Sequence, residues 1–468
     1  MMPGERMGQI RRIHCVGIGG TGMNGVAEVL HNLGYAVSGS DREASRTTER
    51  LVALGIPVVI GHRAENVIGA DVVVISSAIR PDNVELESAR TRRIPIIPRA
   101  EMLAELMRFR YGIAVAGSHG KTTTTALIAS LLVEAGEDPT FVIGGRLNSV
   151  SAHAQLGSGR YLVAEADESD ASFLLYQPLL AVVTNIDRDH LGTYQGDFNR
   201  LCEAFHDFLH HLPFYGVAVL GLDDPEVARL LPRVARPVVS YGFSQASDVR
   251  AVDVVYEGLR TRIRVARRDR PETEFLVNLV GRHNATNALA AIAVAGVLEI
   301  PDASVARALS SFAGTGRRFQ FHGSGRLGAV TFLLVEDYAH HPREIEATLA
   351  AAELAWPTRR KVVVFQPHRY SRTFELMDDF SRVLSHTPVL VLTEVYPAGE
   401  TPRPAADGRA LSRAVRARGE VDPVFAERIQ DVPKILSNLV RPDDVVLLLG
   451  AGDWGGMIPE LLQGGTPS

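Results

Sequence analysis

Short, continuously apolar runs alternate along the chain with longer stretches of helical periodicity. The clearest runs lie at 11–17, 71–75, 112–116, 161–166, 179–184, 361–366, 389–395 and 444–449, with a further apolar run at 329–335. Runs this short and this uniformly apolar are those of strands covered on both faces. Glycine, serine or acidic turns follow them, and then helical patterns such as 99–107, 121–135 and 302–312. The alternation predicts α/β architecture with parallel sheets. Three groups emerge, at 1–110, 111–316 and 317–468, with links near 107–111 and 313–317.

Length agrees with more than one core, because 468 residues exceed what a single hydrophobic core supports. Apolar residues make up 46% and charged residues 22%, so burying a core is no obstacle. A net charge of −5 gives no global attraction to nucleic acid or to an anionic membrane. Positive charge is almost all arginine; the lysines are Lys121, Lys361 and Lys434. Two cysteines, Cys15 and Cys202, are too few for a disulfide framework. The first residues lack the apolar core of a signal peptide, and no run reaches the roughly 18–20 residues of a membrane span. A soluble, cytoplasmic protein is expected.

Gly17-Ile18-Gly19-Gly20-Thr21-Gly22-Met23 places G-x-G-x-x-G between a strand and a helix. Glycines let the backbone approach a pyrophosphate, and the helix N-terminus supplies N–H donors. Asp41 stands where a ribose-binding acid is expected, and Ser76-Ser77-Ala78 should reach the same sheet edge. Alone, this loop fits a nucleotide sugar, a dinucleotide-dependent oxidoreductase or a tight structural turn.

Gly117-Ser118-His119-Gly120-Lys121-Thr122-Thr123 is the stronger signal, again between strand and helix. Backbone N–H groups and Lys121 can cradle phosphates, and the Thr122 hydroxyl can bind Mg²⁺. The spacing is not the full phosphate-loop pattern, since residue 115 is valine. Glu165, at the end of the 161–166 run, and His190, after 179–184, can complete a divalent-metal site. Asn284 can cap the following alanine-rich helix; Asn284 and Asn287 can equally hydrogen-bond an adenine edge. Arg317 follows a glycine-rich link, where a guanidinium can reach phosphates.

Two clusters mark the last third. One is Glu336-Asp337-Tyr338-Ala339-His340-His341; the other holds Arg369 and Arg372, spaced so that a following helix would align them. Paired guanidinium groups can grip a carboxylate with bidentate geometry.

Taken together, GIGGTGM, SSAIRPDN, GSHGKTTT, EADESD, NIDRDHL, FLHHLPFYG, HNATNALAA, GTGRRF, DYAHHP, QPHRYSRT, VYPAGE and GAGD resemble the Mur ligase family over essentially the whole chain. The branch they resemble adds L-alanine to UDP-N-acetylmuramic acid. That resemblance implies three domains: an N-terminal Rossmann-like domain at 1–110 for the UDP sugar, a central P-loop ATPase-like parallel sheet at 111–316, and a C-terminal Rossmann-like domain at 317–468 for the amino acid. It implies ATP as substrate with Mg²⁺ or Mn²⁺, and a monomer or homodimer. By position it implies that Gly117, Ser118, His119, Gly120, Lys121, Thr122 and Thr123 bind ATP with Asn284, Asn287 and Arg317. Thr122, Glu165 and His190 become metal ligands, and His340, Arg369 and Arg372 the alanine-recognition set. Gly19, Gly20, Thr21, Gly22, Met23, Asp41, Ser76, Ser77 and Ala78 should face the UDP moiety. Ser118 replaces the usual threonine, Glu336 the common aspartate, and Trp454 a usual aliphatic residue. Residues 197–216 contain no lysine that could be carbamylated as in several sister ligases. The close rival is a murein tripeptide ligase of cell-wall recycling.

Overall fold

The structure is a computed structural model that describes residues 7–20, 22–76, 78–148, 152–268, 270–452 and 454–463, and of residues 145, 146, 152 and 153 the backbone alone. Three α/β sheets account for it. The first is wholly parallel, in the order Val58–Ile60, Ala36–Asp41, Arg12–Val16, Val72–Ile75, Ile96–Pro98. Helices Met23–Asn32, Arg46–Ala53, Val84–Thr91 and Arg99–Arg108 alternate with its strands. Ser45 and Asn83 cap two of them by accepting from the backbone N–H of Thr48 and Glu85.

The second sheet has ten strands. Its order is Arg270–Val277, Arg260–Arg267, Val249–Glu257, Val238–Gly242, Val217–Gly221, Leu180–Val183, Tyr111–Ala116, Tyr161–Glu165, Thr140–Leu147, Ala152–Gln155. The central strands are parallel and buried along their length, as their unbroken aliphatic sequences require. Strand Val249–Glu257 instead alternates buried and open positions along part of its length, with Val252 and Val255 exposed. The third sheet runs Gln320–Leu327, Val330–Asp337, Val445–Leu449, Lys361–Phe365, Val389–Thr393, Val424–Ala426. Its first pair is antiparallel and the rest are parallel.

Packing divides the chain into two compact units. One comprises residues 1–255, 262–278 and 284–315; the other comprises 256–261, 279–283 and 316–468. Inside the first unit, one apolar core runs from the first sheet into the second, from Ile13 and Leu30 through Met102 and Ala114 to Phe205 and Leu220. Helix Met23–Asn32 is the join: a Cβ added at its Gly25 would lie 2.7 Å from Ala154 Cβ. In the second unit, Trp454 is fully buried among Val362, Val446 and Leu448. The bulky side chain in the C-terminal glycine tail is thus a core residue.

Candidate active site

Parallel register fixes which loops meet. In the first sheet Val16 pairs with Ser40 and with Ile75, so the turns after these strands share one carboxyl edge. The backbone N–H groups of Gly17 and Ile18 donate to Ser40 O at 2.8 and 3.0 Å. Gly17 abuts the second turn: a Cβ there would lie 3.1 Å from Ile79 Cδ1 and 3.9 Å from Ser76 Oγ. Gly19, Gly20, Gly22, Met23, Ser76 and Ala78 therefore gather at one edge, while Thr21 and Ser77 lie outside the described residues. Asp41 also stands there, but its carboxylate accepts from Gly19 N–H at 2.8 Å and from Arg42 N–H at 2.8 Å. It ties the glycine loop to the second strand. The Arg99 guanidinium, which the motifs did not signal, packs on Gly22.

Beneath that edge lies a polar knot that sequence patterns also did not reveal. Glu85 is fully buried; its carboxylate accepts from Ser40 Oγ at 2.7 Å and from Asn66 Nδ2, with His62 Nδ1 at 3.4 Å and His14 Nε2 at 3.8 Å. Burial pushes this carboxyl up, but the nearby His14 imidazole and the hydrogen bonds from Ser40 and Asn66 outweigh it and bring it down to about 2.

In the second sheet Val115 pairs with Glu165 and Ala116 with Val183, so the loop at 117, the acidic turn at 165 and the segment leading to His190 share a carboxyl edge. Gly117 has φ +136°, and a Cβ there would strike Thr184 Oγ1. The loop is stitched to the next strand's end: Ser118 N–H donates to Asn185 O at 3.0 Å, His119 N–H to Asn185 Oδ1 at 2.8 Å, and Thr184 Oγ1 to His119 O at 2.7 Å. His119 Nε2 lies 3.0 Å from Asp187 Oδ2. Gly120 takes φ +83° and opens helix Lys121–Glu134, whose N-terminal N–H groups point into the loop.

Lys121 Nζ donates to Gly117 O at 2.7 Å and to Glu168 Oε2 at 2.6 Å. Burial pulls its ammonium down, but the charges of Glu168 and Asp167 prevail and hold it above the usual lysine value. Thr122 and Thr123 are buried in the first turn of the helix. Glu165 Oε1 accepts from Gly144 N–H at 2.9 Å, and His190, with φ +55°, has its Nε2 3.4 Å from Asp189 Oδ2. Thr122, Glu165 and His190 offer a hydroxyl, a carboxylate and an imidazole on one sheet edge, a donor set that suits Mg²⁺ or Mn²⁺.

Asn284 and Asn287 are buried within helix Arg282–Val297, which starts before Asn284; that residue sits inside the first turn and does not precede it. Asn287 Oδ1 accepts from Thr124 Oγ1 at 3.3 Å, and Asn287 Nδ2 donates to Asn284 Oδ1 at 3.3 Å. Asn287 thereby touches the helix that follows the phosphate loop.

In the C-terminal unit the third sheet's carboxyl edge carries both late clusters. Arg317 is held there: its Nη2 donates to Gly450 O at 2.8 Å and to Gly452 O, its Nε lies 2.8 Å from Glu336 Oε1, and it covers the Tyr338 ring at 4.8 Å. Glu336 also receives His322 Nε2 at 3.1 Å. Asp337 is buried and accepts from Phe319 N–H, Ala339 N–H and Thr348 Oγ1 at 3.0, 2.9 and 3.1 Å. Burial dominates there and, against the pull of Arg318, pushes the carboxyl up to about 6.

His340 Nδ1 contacts Tyr338 O at 3.0 Å and Glu344 Oε2 at 3.3 Å. His341 caps helix Pro342–Ala355 by accepting from Arg343 N–H. The His340 ring meets His368 edge-on at 5.7 Å, and His368 stacks on Tyr396 at 5.6 Å. Arg372 Nη1 is 3.4 Å from His368 Nδ1 and its side chain is buried. Arg369 is exposed, with φ +70° and ψ +134°, and precedes helix Tyr370–Glu375. The two arginines therefore do not share a helix face, contrary to the alignment that their spacing predicts. The Arg369 N–H is committed to Tyr396 O at 2.9 Å, which keeps that residue out of the helix. His368, Tyr396 and the Ser371–Glu400 pair, joined at 2.6 Å, are site-edge residues missed at first. All four sit in the quoted QPHRYSRT and VYPAGE, which were the available signal.

Comparison with known proteins bears on this geometry. Residues 12–111 match the Mur ligase family catalytic-domain model, residues 115–295 the Mur ligase middle-domain model, and residues 317–452 the Mur ligase glutamate ligase-domain model. A UDP-N-acetylmuramate--L-alanine ligase of Halorhodospira halophila is 61% identical over 98% of this chain and 94% of its own length. The crystal structure of a UDP-N-acetylmuramate-alanine ligase from Thermotoga maritima covers 97% of this chain and 98% of its own, with TM-score 0.82 and 30% identity. A murein peptide ligase from Psychrobacter arcticus covers 98% of this chain and all of its own, with TM-score 0.71 and 26% identity.

Proposed function

This chain belongs to the Mur ligase family, and we propose that it joins L-alanine to the lactyl carboxylate of UDP-N-acetylmuramic acid at the expense of ATP, a step of peptidoglycan precursor synthesis. The chain is an ATP-dependent carbon–nitrogen ligase. The observation that supports the chemistry best is the phosphate loop itself: two positive-φ glycines, a helix N-terminus and a protonated Lys121 converge beside Glu165. That is an anion cradle next to a cation's ligands.

The muramyl carboxylate oxygen attacks the γ-phosphorus of ATP, ADP leaves, and an acyl phosphate forms. Lys121 and the loop N–H groups neutralise charge on the transferring group, so positioning and electrostatics dominate. A divalent cation bound by Thr122, Glu165 and His190 would add further charge neutralisation on the phosphate oxygens. The alanine amine then attacks the acyl carbon, and the tetrahedral intermediate expels phosphate. Arg369 and Arg372 hold the alanine carboxylate, and His340 lines the same edge. Of His340 and His341, the first is the better candidate to take the amine's proton, since His341 caps a helix.

Gly19 to Met23, Asp41 and Ser76 to Ala78 receive the UDP sugar in a module bounded near residue 110. Residues 111–316 serve ATP, with Asn284, Asn287 and Arg317 contributing, and residues 317–468 serve the amino acid. The protein works in the cytoplasm as a monomer or homodimer. No helix among the described residues is long and apolar enough to cross a membrane.

The test is phosphate release from ATP, Mg²⁺ and UDP-N-acetylmuramic acid, measured with each single amino acid and with L-Ala-γ-D-Glu-meso-diaminopimelate. L-Alanine should be the best acceptor. Preference for the tripeptide would make the chain a recycling ligase. Near-normal turnover by Lys121→Ala would remove the ATP-loop assignment.

A further inference from the structure

The contact between Lys121 and Glu168 has no part in the steps above, yet it is the shortest that Lys121 makes among the described residues, at 2.6 Å. Glu168 is 1% exposed, and its own carbonyl accepts from Tyr194 Oη at 2.5 Å. Its backbone is thus held in place, three residues past the strand that carries Glu165. We propose that Glu168 is the positioning residue of the phosphate loop: it presets the Lys121 ammonium between turnovers and keeps it aimed while the phosphoryl group moves. The inference rests on residues 117–123 being the ATP loop.

Donor geometry supports this. An ammonium has three N–H donors. One goes to Glu168 and one to Gly117 O at 2.7 Å; the third reaches Ser118 O only at 3.4 Å. Only that third bond is weak, so a phosphate oxygen can take it while the other two remain. Glu168 then stays behind the lysine as its anchor. A free lysine side chain carries rotamer entropy, which a preset ammonium does not lose again when nucleotide binds. The charged groups that face Lys121 are Glu168, Asp167 and Glu165; burial pushes the Glu168 carboxyl up, against the pull of the Lys121 ammonium. Removing the Glu168 charge leaves a buried cation with weaker compensation.

The experiment uses the full chain with ATP, UDP-N-acetylmuramic acid and L-alanine. Glu168→Gln keeps the shape and removes the charge. Its kcat should fall at least about tenfold, because misplacing a reacting group by about 1 Å can cost about a hundredfold. KM for ATP should change far less, because the loop N–H groups and the helix N-terminus that bind the phosphates are untouched. Glu168→Asp should recover part of kcat. Wild-type kcat in Glu168→Gln would overturn the proposal. So would a lower KM for ATP at unchanged kcat, which would make Glu168 a competitor of phosphate. Active Lys121→Ala would instead sink the underlying ATP-loop reading.

A second measurement needs no variant at position 168. With lysines only at 121, 361 and 434, ¹⁵N-lysine labelling yields three side-chain ammonium signals, assigned by lysine-to-arginine changes. Without nucleotide, the Lys121 signal should persist under conditions where exposed Lys434 is lost to exchange with water. Loss of both together would overturn the preset ammonium.

Discussion

Asn287 occupies the space that a side chain at Gly120 would need: a Cβ at 120 would lie 2.5 Å from Asn287 Oδ1. The asparagine and the loop glycine thus define one another, across more than half of the second module's sequence. Because Gly120 also has φ +83°, alanine there meets both a steric block and a left-handed backbone, the latter costing roughly 1–2 kcal/mol. Gly120→Ala should weaken ATP binding by about tenfold or more, since about 1.4 kcal/mol is a factor of ten. UDP-sugar affinity should change little. Calorimetric titration with a non-hydrolysable ATP analogue reads the effect, and unchanged ATP affinity would show that the loop does not need this glycine.

Arg369 combines exposure with a strained backbone, φ +70° and ψ +134°. Conformations of this kind cost of order 1–3 kcal/mol and collect at ligand sites. Arg369→Gly should therefore leave the melting temperature unchanged or raise it, while KM for L-alanine rises about tenfold or more through loss of a charge-assisted bond of about 1.5–3 kcal/mol. A lower melting temperature with unchanged KM would mean that the residue serves the fold rather than the amino acid.

Glu85 makes acid sensitivity specific. Its carboxyl is brought from an unfolded value near 4.5 down to about 2, so it stabilises the folded chain above that unfolded value. The contribution disappears as pH falls toward 2. Glu85→Gln should destabilise the first unit by roughly 3 kcal/mol at pH 7, as expected when one partner leaves a buried charged network. The difference from wild type should narrow below pH 4. Denaturant melts at both pH values measure it; a difference independent of pH would contradict the network's charge.

Asp337 acts in the opposite sense. Its carboxyl rises from an unfolded value near 3.8 to about 6, so ionising it disfavours the fold. This contribution is greatest below about pH 4 and is lost as pH rises through 6. Asp337→Asn should flatten the stability of the C-terminal unit between these values, with an effect of at most about 3 kcal/mol. Thermal melts from pH 4 to 7.5 give the slope, and parallel slopes for wild type and variant would refute it.

Much of this was legible from the chain because the strands that carry the phosphate loop and its neighbours are covered on both faces. Tyr111–Ala116, Tyr161–Glu165 and Leu180–Val183 announce themselves as unbroken aliphatic runs, and the loops at their ends carry the motifs. Strand Val249–Glu257 exposes Val252 and Val255 and mixes charge with aliphatic residues, so no such run marks it. The pairing of Lys121 with Glu168 depends on the register of two strands far apart in sequence, which no local pattern encodes. Asp41 illustrates the opposite problem. Its position fits a ribose contact, but folding also needs an acceptor for the Gly19 N–H, and the same carboxylate supplies it. Arg369 and Arg372 looked helical by spacing until a backbone bond to Tyr396 held the first of them outside.

The apolar core that runs from Ile13 through Ala114 to Leu220 has a consequence for any attempt to take the protein apart. Severing the chain after residue 110 would strip helix Met23–Asn32 of its seat against Ala154 and expose greasy surface on both fragments. The portions on either side of residue 110 should therefore melt together in a single cooperative event, and neither is a sound starting point for expression on its own.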